Sequence, residues 1–304
     1  MPSGTAAGPF TRAVEHLSMG SEQGDKAVPN TDFGVRPNVQ PWSRPIFRWA
    51  GSKKGIIPLL QRRTPSSFDR YIEPFAGSAC LFFALNPERA ILSDFNAELM
   101  HAYRALAKHP RIVTRTASGL PNDAVAYYAI REVDPEELSE TDRAARFLYL
   151  NRHCFNGVYR TNRQNCFNVP MGSRAGQPLT ESEAIRCATA LRRAVLVTGD
   201  FEATLDYAKR NDFVYIDPPY TSVARQTYGE YGYGAFSHAD VKRLLNCLDK
   251  LSDKGAKVLL SYVADEEVVR SLKGWSVLTF PVRRRIAGGS RVSNAIEILA
   301  SNFE

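Results

Sequence analysis

The chain has 304 residues, 44% of them hydrophobic and 23% charged, and a formal net charge of +7. That is room for one large α/β domain with an insertion or for two smaller domains, and its longest apolar runs, such as 79-ACLFFAL-85, are far too short to span a bilayer. Five cysteines (Cys80, Cys154, Cys166, Cys187 and Cys247) form an odd set with no C-x-x-C pair, which argues against a disulfide framework and a zinc site, so neither bridges nor a metal are expected. No basic start followed by an apolar block is present, and the expected compartment is the cytoplasm, with no membrane contact.

Residues 1–44 are rich in Pro, Gly, Ser and Thr without periodicity and read as a flexible arm. Short apolar runs then alternate with helical patterns. Candidate strands fall at 70-RYIE-73 and 90-AILS-93, followed by a helix at 97-AELMHAYRALAK-108 with Leu99, Tyr103 and Leu106 on one face. The interval from 111 to 193 breaks the alternation and reads as an inserted domain. The pattern resumes with strands at 195-VLVT-198, 213-FVYI-216 and 257-KVLLSY-262, the last preceded by a helix at 239-ADVKRLLNCLDKL-251 that carries Val241, Leu244, Leu245 and Leu248. It closes on 276-SVLTF-280 and 295-AIEILA-300. Alternation of this kind implies an α/β fold, a mostly parallel sheet with helices on both faces; the final two strands, with no helix between them, predict an antiparallel edge. The domains are thus 1–44, a catalytic part from 45–110 and 194–304, and the insertion 111–193.

In open α/β sheets ligands bind at the carboxyl ends of strands. Glu73 ends the first strand, the turn 74-PFAGSA-79 follows, and Asp94 ends the second strand, spaced to hydrogen-bond a ribose. Gly77 is the only glycine in that turn, so the pyrophosphate cradle G-x-G-x-x-G is missing and a dinucleotide is not expected. The run 213-FVYI-216 stops at Asp217, Pro218, Pro219 and Tyr220. Two prolines cannot continue a sheet ladder and fix the backbone, giving Asp217 and Tyr220 a rigid platform in the same crevice. The exocyclic amine of adenine is a poor nucleophile because its lone pair is delocalised. A carboxylate and a proline carbonyl that accept its two N–H bonds localise that pair as positive charge develops, while a tyrosine stacks on the ring.

The charge is local. Between Asp142 and Arg193 lie nine arginines, no lysine and three acids, with Phe155, Tyr159 and Phe167 interleaved among Asn151, Asn156, Asn162 and Asn168. Arginine forks suit phosphate oxygens and guanine edges, so the block predicts a nucleic-acid face; a solvated basic surface is the plainer alternative.

The set 47-FRWAGSKKGIIPLL-60, 72-IEPFAGSACLFFAL-85, 92-LSDFNAEL-99, 148-LYLNRHCFNGVYRTNRQNCFNVPMG-172 and 215-YIDPPY-220, in that order, resembles the Dam-type (D12 class) DNA adenine methyltransferases over about residues 46–300. The resemblance implies a seven-stranded S-adenosylmethionine-dependent methyltransferase fold with an inserted, mainly helical DNA-recognition domain, methylating adenine N6 in double-stranded DNA as a monomer or weak associate. Position by position it implies cofactor contacts from Trp49, Lys53, Glu73, Phe75, Gly77, Asp94, Asp200, Phe201 and Asp217, with Asp217, Pro218, Pro219 and Tyr220 as the catalytic tetrapeptide. Phe155 and Asn156 match a hairpin that enters the duplex beside the target, Arg160 a reader of a base edge, and Arg48 a DNA contact; Asn151 and Asn162 are grouped with them. GATC is the family's default site, and longer sites are open, as are solitary, restriction-linked and defence roles.

In 282-VRRRIAGGSRVSNAIEIL-299, Val292, Ser293 and Asn294 stand where the family is usually more basic, and the N-terminal arm has no counterpart in its minimal members. A cytosine-N4 enzyme would more often carry Ser in place of Asp217. An RNA adenine N6-methyltransferase, or an inactive DNA-binding regulator on the same fold, are the alternatives.

Overall fold

The computed structural model describes residues 45–162, 164, 166–220, 236–285 and 292–304, the side chains of 283–285 and 292–294 excepted. The N-terminal arm and the basic C-terminal stretch with Val292, Ser293 and Asn294 therefore lie outside the described residues or side chains. Seven strands form one sheet: β1 (Tyr71–Glu73), β2 (Ala90–Asp94), β3 (Ala194–Thr198), β4 (Phe213–Ile216), β5 (Lys257–Val263), β6 (Ser276–Arg285) and β7 (Val292–Ser301). Their order is β3-β2-β1-β4-β5-β7-β6.

The first five strands pair in parallel, and β7 runs antiparallel to both neighbours. The expected antiparallel edge is present: β7 inserts beside β5, and β6 forms the border. Pro281 fits that border position, since an edge strand tolerates a missing N–H. The chain moves outward from β1 through β2 to β3, then returns to place β4 on the other side of β1. This reversal opens a crevice at the carboxyl ends of β1 and β4, where Glu73 and Asp217 meet.

Strand alternation sorts the core into two layers. Tyr71, Leu92, Phe213, Tyr215 and Leu259 face one side, while Ile72, Ile91, Val214, Ile216, Val258 and Leu260 face the other. The second layer is covered by helices Phe201–Asp206 and His238–Asp253, the latter started by a reciprocal Ser237/Asp240 capping box. The first layer continues without a break into Ala97–Lys108, whose N-cap Asn96 accepts the Leu99 N–H at 2.9 Å, and onward into Pro110–Gly119, Glu140–His153 and Glu181–Leu191. Residues between β2 and β3 therefore share one core with the sheet.

Candidate active site and nucleic-acid face

Strand β4 is buried along its whole length and delivers Asp217 to the crevice. Lys53, at the start of the turn Lys53–Ile56, spans both carboxylate oxygens: Nζ lies 2.7 Å from Oδ1 and 2.9 Å from Oδ2, and also donates to the Gly51 carbonyl at 3.0 Å. The pair is 9% and 17% exposed. Burial alone would lower the Lys53 pKa, but the negative charge of Asp217, helped by Tyr220, the hydrogen bond itself and Glu297, outweighs it and holds an ammonium above its ordinary range. Tyr220 packs edge-on against Tyr262 at 5.4 Å, and Lys53 Nζ sits 5.4 Å from its ring centre. Burial and the Asp217 charge push the Tyr220 phenol up, so it stays protonated.

Glu73 accepts the Tyr71 hydroxyl at 3.0 Å and is 3% exposed. Burial drives its pKa well up against that hydrogen bond, with the charges of Asp217 and Asp94 acting in the same direction as burial. Asp94 holds the turn between β1 and the helix Cys80–Leu85: Oδ2 accepts the Gly77 N–H and Oδ1 the Asn96 N–H, each at 2.9 Å. Enclosure raises this carboxyl to about 6, the two amides opposing the shift. Gly77 is required twice over, by a φ of +45° and by Trp49, whose Cδ1 would lie 2.8 Å from an added Cβ. Tyr103, a core residue in the sequence pattern, also steadies the turn by donating to the Gly77 carbonyl at 2.8 Å.

On the other side of the turn Phe75 stacks on Phe201 at 5.2 Å, and Phe236 closes the cluster. Asp200 caps the helix Phe201–Asp206 and pairs with Arg243, whose guanidinium lies 4.8 Å from the Phe201 ring centre. These residues fit a nucleoside cofactor. A carboxylate has about four lone-pair sites and the amides use two of Asp94's, close to the half-exposed ring of Phe75. Among the described residues no group of three or more His, Cys, Asp or Glu could hold a metal.

The arginine-rich segment begins within helix Glu140–His153 and continues into a hairpin-like excursion after it. Bridges Cys154↔Met171 and Thr161↔Phe167 frame it, and the Phe155 N–H donates to the Pro170 carbonyl at 2.9 Å. Phe155 is 40% exposed, and Asn156, also exposed, has a left-handed φ of +54°. Arg160 is exposed, its Nε bonding Asn168 Oδ1 at 3.0 Å. Asn162 folds the tip by accepting the Gln164 and Cys166 amides. Arg48 lies half-buried across Gly157, where its side chain would collide with any added Cβ.

Much of the arginine block is committed to partners within the protein. Arg143 pairs with Glu98 and Glu136, Arg146 donates to the carbonyls of Ile130 and Arg131, Arg152 to those of Ile46 and Gln177, and Arg192 to that of Ala107. Asn151 also points inward, its amide committed to the backbone of Arg48. Their place outside the hairpin leaves Arg143, Arg146 and Arg192 open as phosphate or scaffold groups, and these partners decide for the scaffold.

A family model described as D12 class N6 adenine-specific DNA methyltransferase matches residues 49–285. The chain is 32% identical over 271 residues to the type II methyltransferase M1.LlaDCHI of Lactococcus lactis subsp. cremoris, covering 86% of this chain and 95% of that protein. It is 33% identical over 260 residues to the DNA N-6-adenine-methyltransferase of Escherichia phage P1, covering 83% of this chain and 33% of that protein. With the DNA adenine methylase of Serratia marcescens it shares 30% identity over 266 residues, 84% of this chain and 98% of that protein. The crevice at the β1/β4 reversal, lined by Asp94 and Asp217, and the extent of these matches identify the chain as a member of the D12 class N6 adenine-specific DNA methyltransferases.

Proposed function

We propose that the protein methylates N6 of an adenine turned out of duplex DNA at a defined sequence, acting in the cytoplasm as a monomer or weak associate. The observation that carries this reading is Asp217, a carboxylate at the β4 end that receives a nitrogen on both oxygens at 2.7 and 2.9 Å. Lys53 supplies that nitrogen here; an adenine amine is the neutral group that takes its place in the reaction.

S-adenosylmethionine, the methyl donor of the family, supplies an electrophilic methyl group when bound. Asp94 would hold its ribose, Trp49, Phe75 and Gly77 its methionine side, and Asp200 with Phe201 its adenine; Glu73 and Lys53 border the same space. Asp217 and the Pro218 carbonyl accept the two N–H bonds of the target amine, which localises its lone pair. Pro218 and Pro219 keep that carbonyl from turning away, and Tyr220 stacks on the base. For the amine to enter, Lys53 has to yield at least one Asp217 oxygen, which restores the negative charge that favours a nitrogen becoming positive. As the new N–C bond forms, the methyl–sulfur bond would break and leave a neutral thioether, while N6 loses one proton that Asp217 is positioned to hold.

The segment 111–193 is the target-recognition part in this reading. Extruding a base costs a few kcal/mol, which the exposed Phe155 and Asn156 help to offset, while Arg160 and Asn162 meet base edges and Arg48 the backbone. Type II methyltransferases among the relatives support a restriction-linked role, and GATC is the first sequence to examine. Expression in a methylation-free host followed by mapping of N6-methyladenine tests the proposal. Modified adenine confined to one short motif is the expected result; folded protein that leaves no adenine methylated overturns it.

A further inference from the structure

Asn151, grouped by the sequence with the DNA-facing asparagines, is 2% exposed. Its carboxamide closes a two-bond ring on the backbone of one residue: Oδ1 accepts the Arg48 N–H and Nδ2 donates to the Arg48 carbonyl, both at 2.8 Å. Arg152 Nη2 donates to the Ile46 carbonyl at 2.6 Å. The last turn of helix Glu140–His153 thus grips a segment far away in sequence at two points.

That segment reaches three functional regions. The Arg48 side chain lies across Gly157 of the hairpin. Trp49 touches Gly77 of the cofactor turn and stacks on Tyr159 of the hairpin, with ring centres 5.5 Å apart and planes at 20°. Lys53 reaches Asp217. Phe47 anchors the start, edge-on to Tyr103 and Phe147 at 5.1 Å each.

We propose that Asn151 is a positioning residue for methyl transfer. By fixing the backbone of Arg48 it sets the register of segment 46–53, so that the hairpin and the cofactor turn close on opposite sides of one strap. The proposal rests on the methyl-transfer reading above. The chemistry of the side chain supports it: a carboxamide presents a donor and an acceptor side by side, which leucine of similar size cannot, an ionised aspartate lacks the donor, and serine offers one hydroxyl. A slip of one residue would offer the clamp a different peptide and turn Trp49 away from both Gly77 and Tyr159. Helix Glu140–His153 has apolar anchors of its own in Phe147, Leu148 and Leu150, so it does not depend on Asn151 for packing.

The test uses the full chain carrying Trp42→Phe and Trp275→Phe, which leaves Trp49 as the sole indole. Asn151→Leu is compared with its parent in kcat and KM on plasmid DNA from a methylation-free host, in S-adenosylhomocysteine affinity by calorimetry, and in Trp49 emission. The expected result is a cooperatively melting protein whose cofactor Kd and DNA KM each rise about tenfold, whose kcat falls about tenfold well below the melting transition, and whose Trp49 emission moves to the red. Parental kinetic constants and emission at low temperature would overturn the proposal by reducing Asn151 to a packing group. If Asn151→Leu does not fold, Asn151→Ser is judged by the same measurements, and failure of both to fold also overturns it. A parent that binds cofactor yet methylates nothing instead refutes the methyl-transfer reading; Trp49 emission and cofactor affinity then still decide whether Asn151 sets the strap.

Discussion

The strand ends and the hairpin treat their polar groups in opposite ways. At the ends of β1, β2 and β4, Tyr71 is on Glu73, the Gly77 and Asn96 amides are on Asp94, and Lys53 is on Asp217. In the hairpin, Phe155, Asn156 and Arg160 face outward, and two isolated bridges stand in for a ladder. Stabilising a transition state favours groups fixed before substrate arrives, because reorganising them would consume the energy they provide. Reading a sequence requires groups whose partners arrive with the substrate. The difference is one of timing, and each region can be tested for it.

The largest effect belongs to Asp217. Asp217→Asn keeps the shape and an acceptor but removes the charge, and single-turnover methyl transfer is expected to fall by two to three orders of magnitude, the about 2.7–4 kcal/mol typical of one preorganised polar contact. The structure favours this variant over Asp217→Ala, which would leave the nearly buried Lys53 ammonium facing a void as well. Cooperative thermal melting serves as the folding control. Turnover within fivefold of wild type would remove the Asp217 charge from the chemistry.

Asp94 comes next, and its effect carries a pH signature. Losing a charge-assisted acceptor worth about 1.5–3 kcal/mol predicts a ten- to hundredfold weaker cofactor complex in Asp94→Ala. The carboxyl titrates at about 6 against 3.8 as its ordinary value, so the folded protein holds the proton that the unfolded chain has already released. This group's contribution to stability therefore declines as pH rises from about 4 to about 6. Cofactor affinity has the opposite slope, because the carboxylate that accepts ribose hydroxyls is populated only above about 6. Calorimetry across pH 5–8 should show affinity lost as pH falls through that region (about 6) and a flatter profile for Asp94→Asn. Parallel profiles would place the ribose on another group.

The same contrast explains what the sequence made legible. The crevice end of the sheet was readable because its determinants are local: an apolar strand, then an acid or a rigid turn, repeated at β1, β2 and β4, and the helix Ala97–Lys108 follows from one amphipathic run opened by its cap. What escaped was set by distant partners. By sequence Arg143 and Arg146 are phosphate or scaffold groups alike, and only Glu98 and the Ile130 carbonyl beside them decide for the scaffold; Asn151 groups with the DNA-facing residues until Arg48 is found against it. The position of β7 was hidden for the same reason. The lack of a helix between them shows that β6 and β7 pair, but which of them lies against β5 is settled by pairings remote in sequence, such as Leu260 with Ala300 and Tyr262 with Ile298.

The smallest effect in overall rate is the most informative about the hairpin. A bidentate arginine on guanine O6 and N7 discriminates between bases by about 1–3 kcal/mol, whereas a phosphate contact carries no sequence information. Arg160 stands on the hairpin between Tyr159 and the Thr161 bridge, exposed and oriented by Asn168, so Arg160→Ala should slow the cognate duplex and relax the preference at one flanking base pair. Arg174 is exposed on the returning segment, outside the bridged hairpin. Arg174→Ala should weaken all duplexes alike and lower the slope of log affinity against log salt by about one charge. Methylation rates on the cognate duplex and each single-base variant, at two or more salt concentrations, separate the two patterns. If Arg160→Ala slows every duplex by one common factor, it too is a backbone contact. The specificity would then belong to Asn162, to the left-handed Asn156 or to Arg48 against Gly157, the last being the residue whose peptide Asn151 holds, which would bring sequence reading and strap positioning onto the same structural element.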